Sequence, residues 1–122
     1  MQLAYLDFDY SEDALGHGSF EAMASVQSGA LAALLGEVCA VLGWAHAHFS
    51  DPPAPLEEGG IWDYSLDGQR EWSEPDVLRY DPLSGHVASL PGQAGAVRHT
   101  VTLCLVGAPQ FCQALREQFE IP

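Results

Sequence analysis

Four carboxylates near the start of the chain have the chemistry of divalent-cation ligands. Asp7, Asp9, Glu12 and Asp13 are close in sequence, and hard cations such as Ca²⁺ prefer carboxylate oxygens. A calcium loop beginning at Asp7 would need Gly where Glu12 stands and a closing Glu where Gly18 stands. We therefore predict no metal cofactor and regard the four residues as an acidic cluster, a candidate for weak, unspecific ion binding.

The segment Asp7-Phe8-Asp9-Tyr10-Ser11 follows an apolar strand start and resembles the nucleophile motif of the haloacid dehalogenase superfamily. The resemblance implies phosphoryl transfer, in which the first aspartate attacks phosphorus and the second acts as acid and base. Such an enzyme also needs a lysine that neutralises the phosphoryl charge, and this chain has no Lys. We therefore predict no catalytic residue, and the sequence favours a protein that is not an enzyme without deciding the question.

The cysteines and histidines lack the spacing of a reactive or metal-binding site. Cys39, Cys104 and Cys112 form no C-x-x-C pair, and an odd number leaves at least one thiol unpaired. His46 and His48 would diverge by about 200° on a helix, so they cannot share one ion. These patterns predict inert thiols in a reducing compartment.

Aromatic and acidic residues are interleaved in the middle of the chain, a composition that suits protein recognition. Trp and Tyr supply contact area, and carboxylates attract the Arg or Lys side chains of a partner. A hairpin with its turn at Asp67-Gly68 would gather these residues beside a glutamate-rich loop. The predicted protein-binding residues are Glu57, Glu58, Trp62, Asp63, Tyr64, Asp67, Glu71 and Trp72. The alternative is that Trp62 and Tyr64 fill the core.

The charge of the chain is strongly one-sided. Asp and Glu number 17 against four Arg, for a formal net charge of -13. Such a surface repels phosphate backbones and anionic lipid headgroups, so we predict neither nucleic-acid nor membrane-surface binding. A partner with a basic surface would be attracted. The alternative explanation is that the acidic charge only maintains solubility.

One apolar segment, 29–49, approaches the length of a membrane span. Glu37, His46 and His48 interrupt it, and neither Lys nor Arg flanks it. No basic region precedes an apolar run at the N-terminus, so we expect no secretory signal. These features predict a buried helix in a cytoplasmic protein.

Apolar periodicity predicts the elements that would position these residues. A long helix is expected over about 28–49, with Ser28 as its cap, and a short C-terminal helix over about 109–119. An irregular connection is expected at 11–25, with Phe20 and Met23 in the core, and a loop at 91–95. The predicted strands are 3–10, 61–66, 69–73, 77–80, 86–90 and 98–105. The predicted core face of the long helix is Leu31, Leu35, Val38, Leu42, Ala45 and Phe49.

The order of these elements indicates the α+β class. Strands gathered in a run favour a mainly antiparallel sheet of about five strands, with both helices packed on one face. A length of 122 residues suits one domain, 1–122.

The reverse side of the long helix carries the small residues Ala33, Gly36, Ala40, Gly43 and Ala47. Either they are exposed to solvent, or they allow a second element or subunit to pack closely. Interior glycines each cost a helix about 1 kcal/mol relative to alanine, which favours close packing. We therefore expect a twofold homodimer through the long helix.

These observations predict a small acidic protein that binds another protein without catalysis, as an inhibitor, immunity protein, chaperone or adaptor. Its expected partner has a basic surface, and no cofactor is expected. The alternative is a small-molecule or metal-binding domain, or a minor enzyme, with a pocket between the long helix and the sheet.

Overall fold

The strands form two antiparallel sheets in a computed structural model that describes residues 1–92 and 95–122. The predicted α+β class is confirmed, with six strands in the described residues rather than about five. Residues 93 and 94 of the predicted 91–95 loop lie outside the described residues. The elements are β1 (Asp9–Glu12), β2 (Gly18–Gln27), α1 (Ser28–His48), a 3-10 turn (Leu56–Glu58), β3 (Trp62–Ser73), β4 (Asp76–Asp81), β5 (His86–Pro91), β6 (Ala96–Gly107) and α2 (Pro109–Phe119).

The main sheet has the strand order β1-β2-β6-β3, so β1 and β3 are its edges. β3 and β6 pair without interruption from Trp62 opposite Gly107 to Ser73 opposite Ala96. β4 and β5, which lie between β3 and β6 in the chain, form a separate two-stranded ribbon beyond the end of the β3–β6 pair. All residues of the ribbon's strands are exposed. The ribbon therefore extends from the sheet as an arm.

One face of the main sheet forms the core because apolar and polar residues alternate along β2 and β6. Both helices contact this side of the sheet, α1 through β2 and β6 and α2 through β6. The inward-facing residues of the two strands are Gly18, Phe20, Ala22 and Ala24, and Val101, Leu103, Leu105 and Gly107. For β6, the alternation of Val101, Leu103 and Leu105 with Thr100 and Thr102 predicts this inward face from sequence alone, and the structure confirms it.

Both predicted helices are present, but the core face of α1 was predicted only in part, because Val38 and Ala45 of the predicted face are buried and Leu35 is not. Its buried residues are Leu34, Val38, Val41 and Ala45, whereas Leu35 is 41% exposed. Apolar residues surround α1 almost completely, so periodicity could not define its buried face. Ser28 also does not cap the helix, because its hydroxyl contacts His99 at 3.0 Å instead.

Two predictions at the start of the chain are wrong. Residues 11–25 are not an irregular connection, since β2 occupies most of them, and Met23 is 64% exposed. The first strand begins only at Asp9, although Leu6 and Phe8 are buried as their alternation indicates. Gly16 and Gly18 indicate a loop, yet Gly18 pairs with Gly107 in the sheet. Glycine is required at position 18 because an added Cβ would meet the Cys112 sulfur.

The predicted turn at Asp67-Gly68 is also wrong. β3 runs straight through it, and Gly68 lies opposite Val101 in the middle of a continuous ladder. Asp-Gly is a local turn signal, whereas the twelve-residue pairing with β6 is a tertiary interaction that outweighs it. A single long edge strand therefore replaces the predicted hairpin.

By length and apolar composition, α1 is able to cross a membrane. The core helix of a water-soluble protein meets the same two criteria. Only four of its 21 residues are buried against the sheet, so α1 also presents an apolar surface to solvent.

Candidate protein-binding face

The predicted acidic cluster is spread over several local contacts. Asp7 and Asp9 are exposed. The Glu12 carboxylate accepts a hydrogen bond from the Tyr10 hydroxyl at 2.7 Å, and Asp13 accepts two backbone N–H groups of the turn that follows it. Within the described residues, no three His, Cys, Asp or Glu side chains form a group that could hold a metal ion.

A cavity of about 410 Å³ between β1 and α2 contains a buried thiol and a phenol. Burial raises the pKa of the Cys112 thiol, which donates to the Gly107 carbonyl at 3.3 Å. The hydrogen bond to Glu12 and burial raise the pKa of Tyr10 to about 12, and Arg116 lies over the Tyr10 ring at 4.5 Å. Both groups are therefore protonated at neutral pH, so Cys112 lacks the thiolate that nucleophilic chemistry requires.

The two histidines at the end of α1 contact different aromatic residues. The His46 ring meets Trp62 edge to face at 5.0 Å, and its Nδ1 lies 2.8 Å from the Leu42 carbonyl. His48 stacks on Trp44 at 4.9 Å. Both rings therefore pack against aromatic side chains at the C-terminal end of α1.

The structure disperses the predicted protein-binding residues along β3. Trp62 and Trp72 lie ten positions apart in one strand, about 33 Å at 3.3 Å per residue. Trp62 is fully buried and inaccessible to a partner, whereas Trp72 is 63% and Tyr64 37% exposed. Glu57 and Glu58 lie apart from β3, in the 3-10 turn. Asp63, Asp67 and Glu71 of β3 lie on one face of the sheet.

The side of the main sheet opposite the helices is an uncovered acidic surface. We call it the open face, and it consists of the odd-numbered residues of β1, β2 and β3 and the even-numbered residues of β6. Its centre is made of small hydroxyl side chains, including Ser25 and Thr100, whose oxygens are 2.7 Å apart. Its charged residues are Asp9, Glu21, Asp63, Asp67, Glu71 and Arg98.

The carboxylates of the open face form no ion pair within the described residues, although Arg98 lies opposite Glu71 in the sheet. Among residues 1–92 and 95–122, ion pairs involve only the N-terminus with Glu120 and His17 with Asp13. Asp9 and Glu21 are directly opposite each other, an arrangement of like charges that destabilises a sheet. A cationic ligand on this face would relieve that repulsion.

The open face contains two grooves. One, of about 360 Å³, lies between Met23, Asp67 and Thr102. The other, of about 800 Å³, lies at the end of the sheet and is lined by residues that include Asp13, Glu57 and Asp63. Members of both predicted sets, the acidic cluster and the protein-binding residues, therefore border one surface.

Sequence reasoning missed Glu21 and Met23 as members of this surface. The available signal was the alternation of Phe20, Ala22 and Ala24 with Ser19, Glu21 and Ser25, which is typical of a strand buried on one side, although the apolar Met23 interrupts it. Alanine is a weak indicator of strands, and the nearby glycines obscured the pattern.

The glycines on the small-residue side of α1 have no other part of the described chain packed on them. An added Cβ at Gly36 or Gly43 would meet nothing within 4 Å. Gly29, Gly36 and Gly43 are seven residues apart, a repeat that the sequence analysis did not use. The cost of these glycines therefore has no compensation in the contacts within the chain.

We predict that Gly36→Ala and Gly43→Ala each stabilise the fold by about 1 kcal/mol, because alanine reduces the backbone entropy lost in a helix interior. The measurement is the urea midpoint with an unchanged m-value. Gly107→Ala is the control of opposite sign, because its Cβ would collide with the Phe111 ring. Unchanged or lower stability in both helix variants would show that these glycines fulfil a packing role.

Comparison of the chain with protein-family models found no match. Searches of curated proteins and of solved structures also found none. What the chain binds is therefore inferred from the geometry and charge of its own surfaces.

Proposed function

We propose that the chain is a cytoplasmic, non-catalytic protein-binding module whose open face binds the basic surface of another protein. The observation that supports this proposal is the uncovered face of the sheet, with five carboxylates and one arginine. Electrostatic complementarity accelerates encounter and selects partners. The roles we propose for such a module are those of an inhibitor, an immunity protein, a chaperone or an adaptor.

The shape of the open face suits a partner that lies across the strands. Small serine and threonine side chains keep the centre of the face low, and Met23, which is 64% exposed, gives an adaptable apolar contact. The carboxylates of β3 lie along one side at every fourth residue, as Asp63, Asp67 and Glu71. Their spacing of about 13 Å matches well-separated cations better than a single ion.

The small-molecule alternative has less support. The space between α1 and the sheet is filled by side chains such as Leu34, Val41, Phe20 and Leu103, which are at most 1% exposed. The groove beside α1 is open to solvent and lies next to the sheet edge. A protein partner therefore fits the uncovered surfaces better than an enclosed ligand does.

We expect neutralisation of the open face to weaken partner binding about tenfold. The test variant combines Glu21→Gln, Asp63→Asn and Asp67→Asn; the expected loss is roughly 0.5 kcal/mol per charge. The partner is first captured at about 50 mM NaCl, identified, purified and titrated by calorimetry. Binding should also weaken strongly at about 500 mM NaCl because salt screens exposed charges.

The matched control removes three charges elsewhere, through Asp51→Asn, Asp76→Asn and Glu117→Gln. These carboxylates lie outside the main sheet. The control should bind within about twofold of the natural protein, since only distant, screened charges change. Equal loss in both variants, or affinity independent of salt, would contradict binding at the open face.

A further inference from the structure

The outer edge of β3 carries backbone groups without partners. The Ile61 carbonyl accepts the Ala108 N–H on the β6 side, whereas the Trp62 carbonyl accepts the Ala54 N–H on the outer side. Backbone groups alternate in direction along a strand, so even-numbered residues from 66 to 72 direct their N–H and C=O outward. No backbone or side-chain group in the described chain bonds to them.

The even-numbered residues of β3 also carry exposed apolar side chains beside α1, which we call the apolar strip; Gly68 and Arg70 interrupt it. Tyr64, Leu66 and Trp72 are 37%, 45% and 63% exposed on the helix side of β3. Between Leu66 and Trp72, a groove of about 460 Å³ is lined by Gly68 and Arg70 of β3 and by Leu31 and Leu35 of α1. Alternating apolar residues of this kind are typical of a strand with a covered face, yet this chain alone does not cover them.

We propose that β3 of a second copy of the chain pairs antiparallel with β3 along this edge. The twofold axis passes between the two copies of Gly68. The two sheets then form one continuous sheet with all helices on the same side. Each facing pair of outward-directed residues exchanges two hydrogen bonds, about six bonds in the central ladder. The exposed apolar strip of each copy is covered by that of the other.

Charge and backbone direction select the position of the axis. Axes at Asp67 and Gln69 place carboxylates opposite carboxylates, and an axis at Arg70 places two guanidinium groups opposite each other, all of which are unfavourable. An axis at Leu66 would need the outer carbonyl of Trp62, which already accepts a hydrogen bond. Among positions 66–70 in the middle of β3, only Gly68 remains.

The axis at Gly68 gives a self-complementary register. No pair of like charges faces across the two strands, and the aromatic residues meet. A Cβ added at Gly68 would meet nothing, and its φ is not positive, so the single chain does not require glycine there. Glycine inside a strand often marks a close approach of another backbone. The pairs between the two copies are Tyr64 with Trp72, Ser65 with Glu71, Leu66 with Arg70 and Asp67 with Gln69.

This association goes beyond the proposed binding of a basic partner and does not depend on it. It uses the edge and the helix side of β3, and it leaves the open face of each copy uncovered. A failure of one proposal therefore leaves the other intact, because self-association and partner binding are measured separately.

Disulfide trapping tests the axis. In a Cys39→Ser, Cys104→Ser background, Gly68→Cys should give a disulfide-linked dimer under mild oxidation, since Cα atoms facing across the axis are about 5.5 Å apart. Ser65→Cys in the same background is the control; its two copies would be about 20 Å apart along the strands. A monomer at tens of micromolar by light scattering, or equal trapping of both variants, would overturn the proposal.

A single charge tests the register independently. Gln69→Glu places carboxylates opposite Asp67 twice per dimer and should weaken self-association about fivefold in sedimentation experiments. Gln113→Glu adds the same charge on an exposed position of α2 and should leave the dimer unchanged. Gln69→Lys should strengthen the dimer at low salt. Identical effects of Gln69→Glu and Gln113→Glu would overturn the register.

Discussion

Replacement of Trp62 by alanine is expected to destabilise the fold by about 3–5 kcal/mol, the cost of removing a large aromatic side chain from a core. Trp62 is fully buried, and its ring stacks on Phe111 with centroids 5.6 Å apart and planes 3° apart. Its indole N–H also donates to the Asp51 carbonyl at 3.2 Å. The substitution therefore leaves a cavity between β3, α1 and α2 and an unpaired carbonyl.

Trp72→Ala is the matched control because the same residue type lies in the same strand but is 63% exposed. It should cost less than about 0.5 kcal/mol at protein concentrations low enough to keep the chain monomeric. Urea unfolding followed by far-UV circular dichroism measures both variants without relying on tryptophan fluorescence. Similar losses in the two variants would contradict the different burial of the two tryptophans.

Local sequence signals predicted the helices and the inward face of β6 correctly. Pro52 and Pro53 follow the end of α1 closely, and Pro109 occupies the first turn of α2, as expected where a proline lacks an N–H. These features depend on residues near each other in the chain. Interactions between residues that are close in the chain are therefore sufficient to predict such elements.

The buried face of α1 was not predictable in the same way. Leu31, Leu34, Leu35 and Leu42 surround the helix, so several orientations would bury a similar apolar area. Contacts with β2 and β6 select the face that contains Leu34. A helix that is apolar on most sides needs its tertiary partners to define its orientation.

The candidate site required information that a local pattern does not contain. The acidic residues of β1, β2 and β3 share a face because β6 lies between β2 and β3 and pairs with both of them, which joins the strands into one sheet. An error at Asp67-Gly68 was enough to convert one long strand into a hairpin and to place Trp62 beside Trp72. Sequence reasoning therefore identified acidic recognition residues but not the surface that contains them.

A similar long-range effect explains how the N-terminal segment is held, and it was not foreseen. The carboxylate of Glu37, in the middle of α1, accepts hydrogen bonds from the backbone N–H groups of Ala4, Tyr5 and Leu6 at 2.8–3.2 Å. These contacts join residues more than 30 positions apart. They hold the segment that brings Leu6 and Phe8 into the core.

Glu37→Ala is expected to destabilise the fold by about 2 kcal/mol, because hydrogen bonds to a charged group contribute more than neutral ones. Glu37→Gln should lose about half as much, since the amide keeps one acceptor oxygen. Glu117→Ala is the control: this exposed helix residue makes one side-chain contact, at 3.4 Å with Gln113, and should lose less than about 0.5 kcal/mol.

Amide hydrogen exchange distinguishes a local role of Glu37 from a general loss of stability. In Glu37→Ala, the amides of Ala4, Tyr5 and Leu6 should exchange much faster, whereas those of β6 should change only as much as the global stability does. If burial of Leu6 and Phe8 alone held the segment, these amides would keep their protection and Glu37→Ala would match Glu117→Ala. Burial of Leu6 and Phe8 supplies no acceptor for three consecutive backbone N–H groups. We therefore expect the Glu37 carboxylate to be required for the protection of these amides.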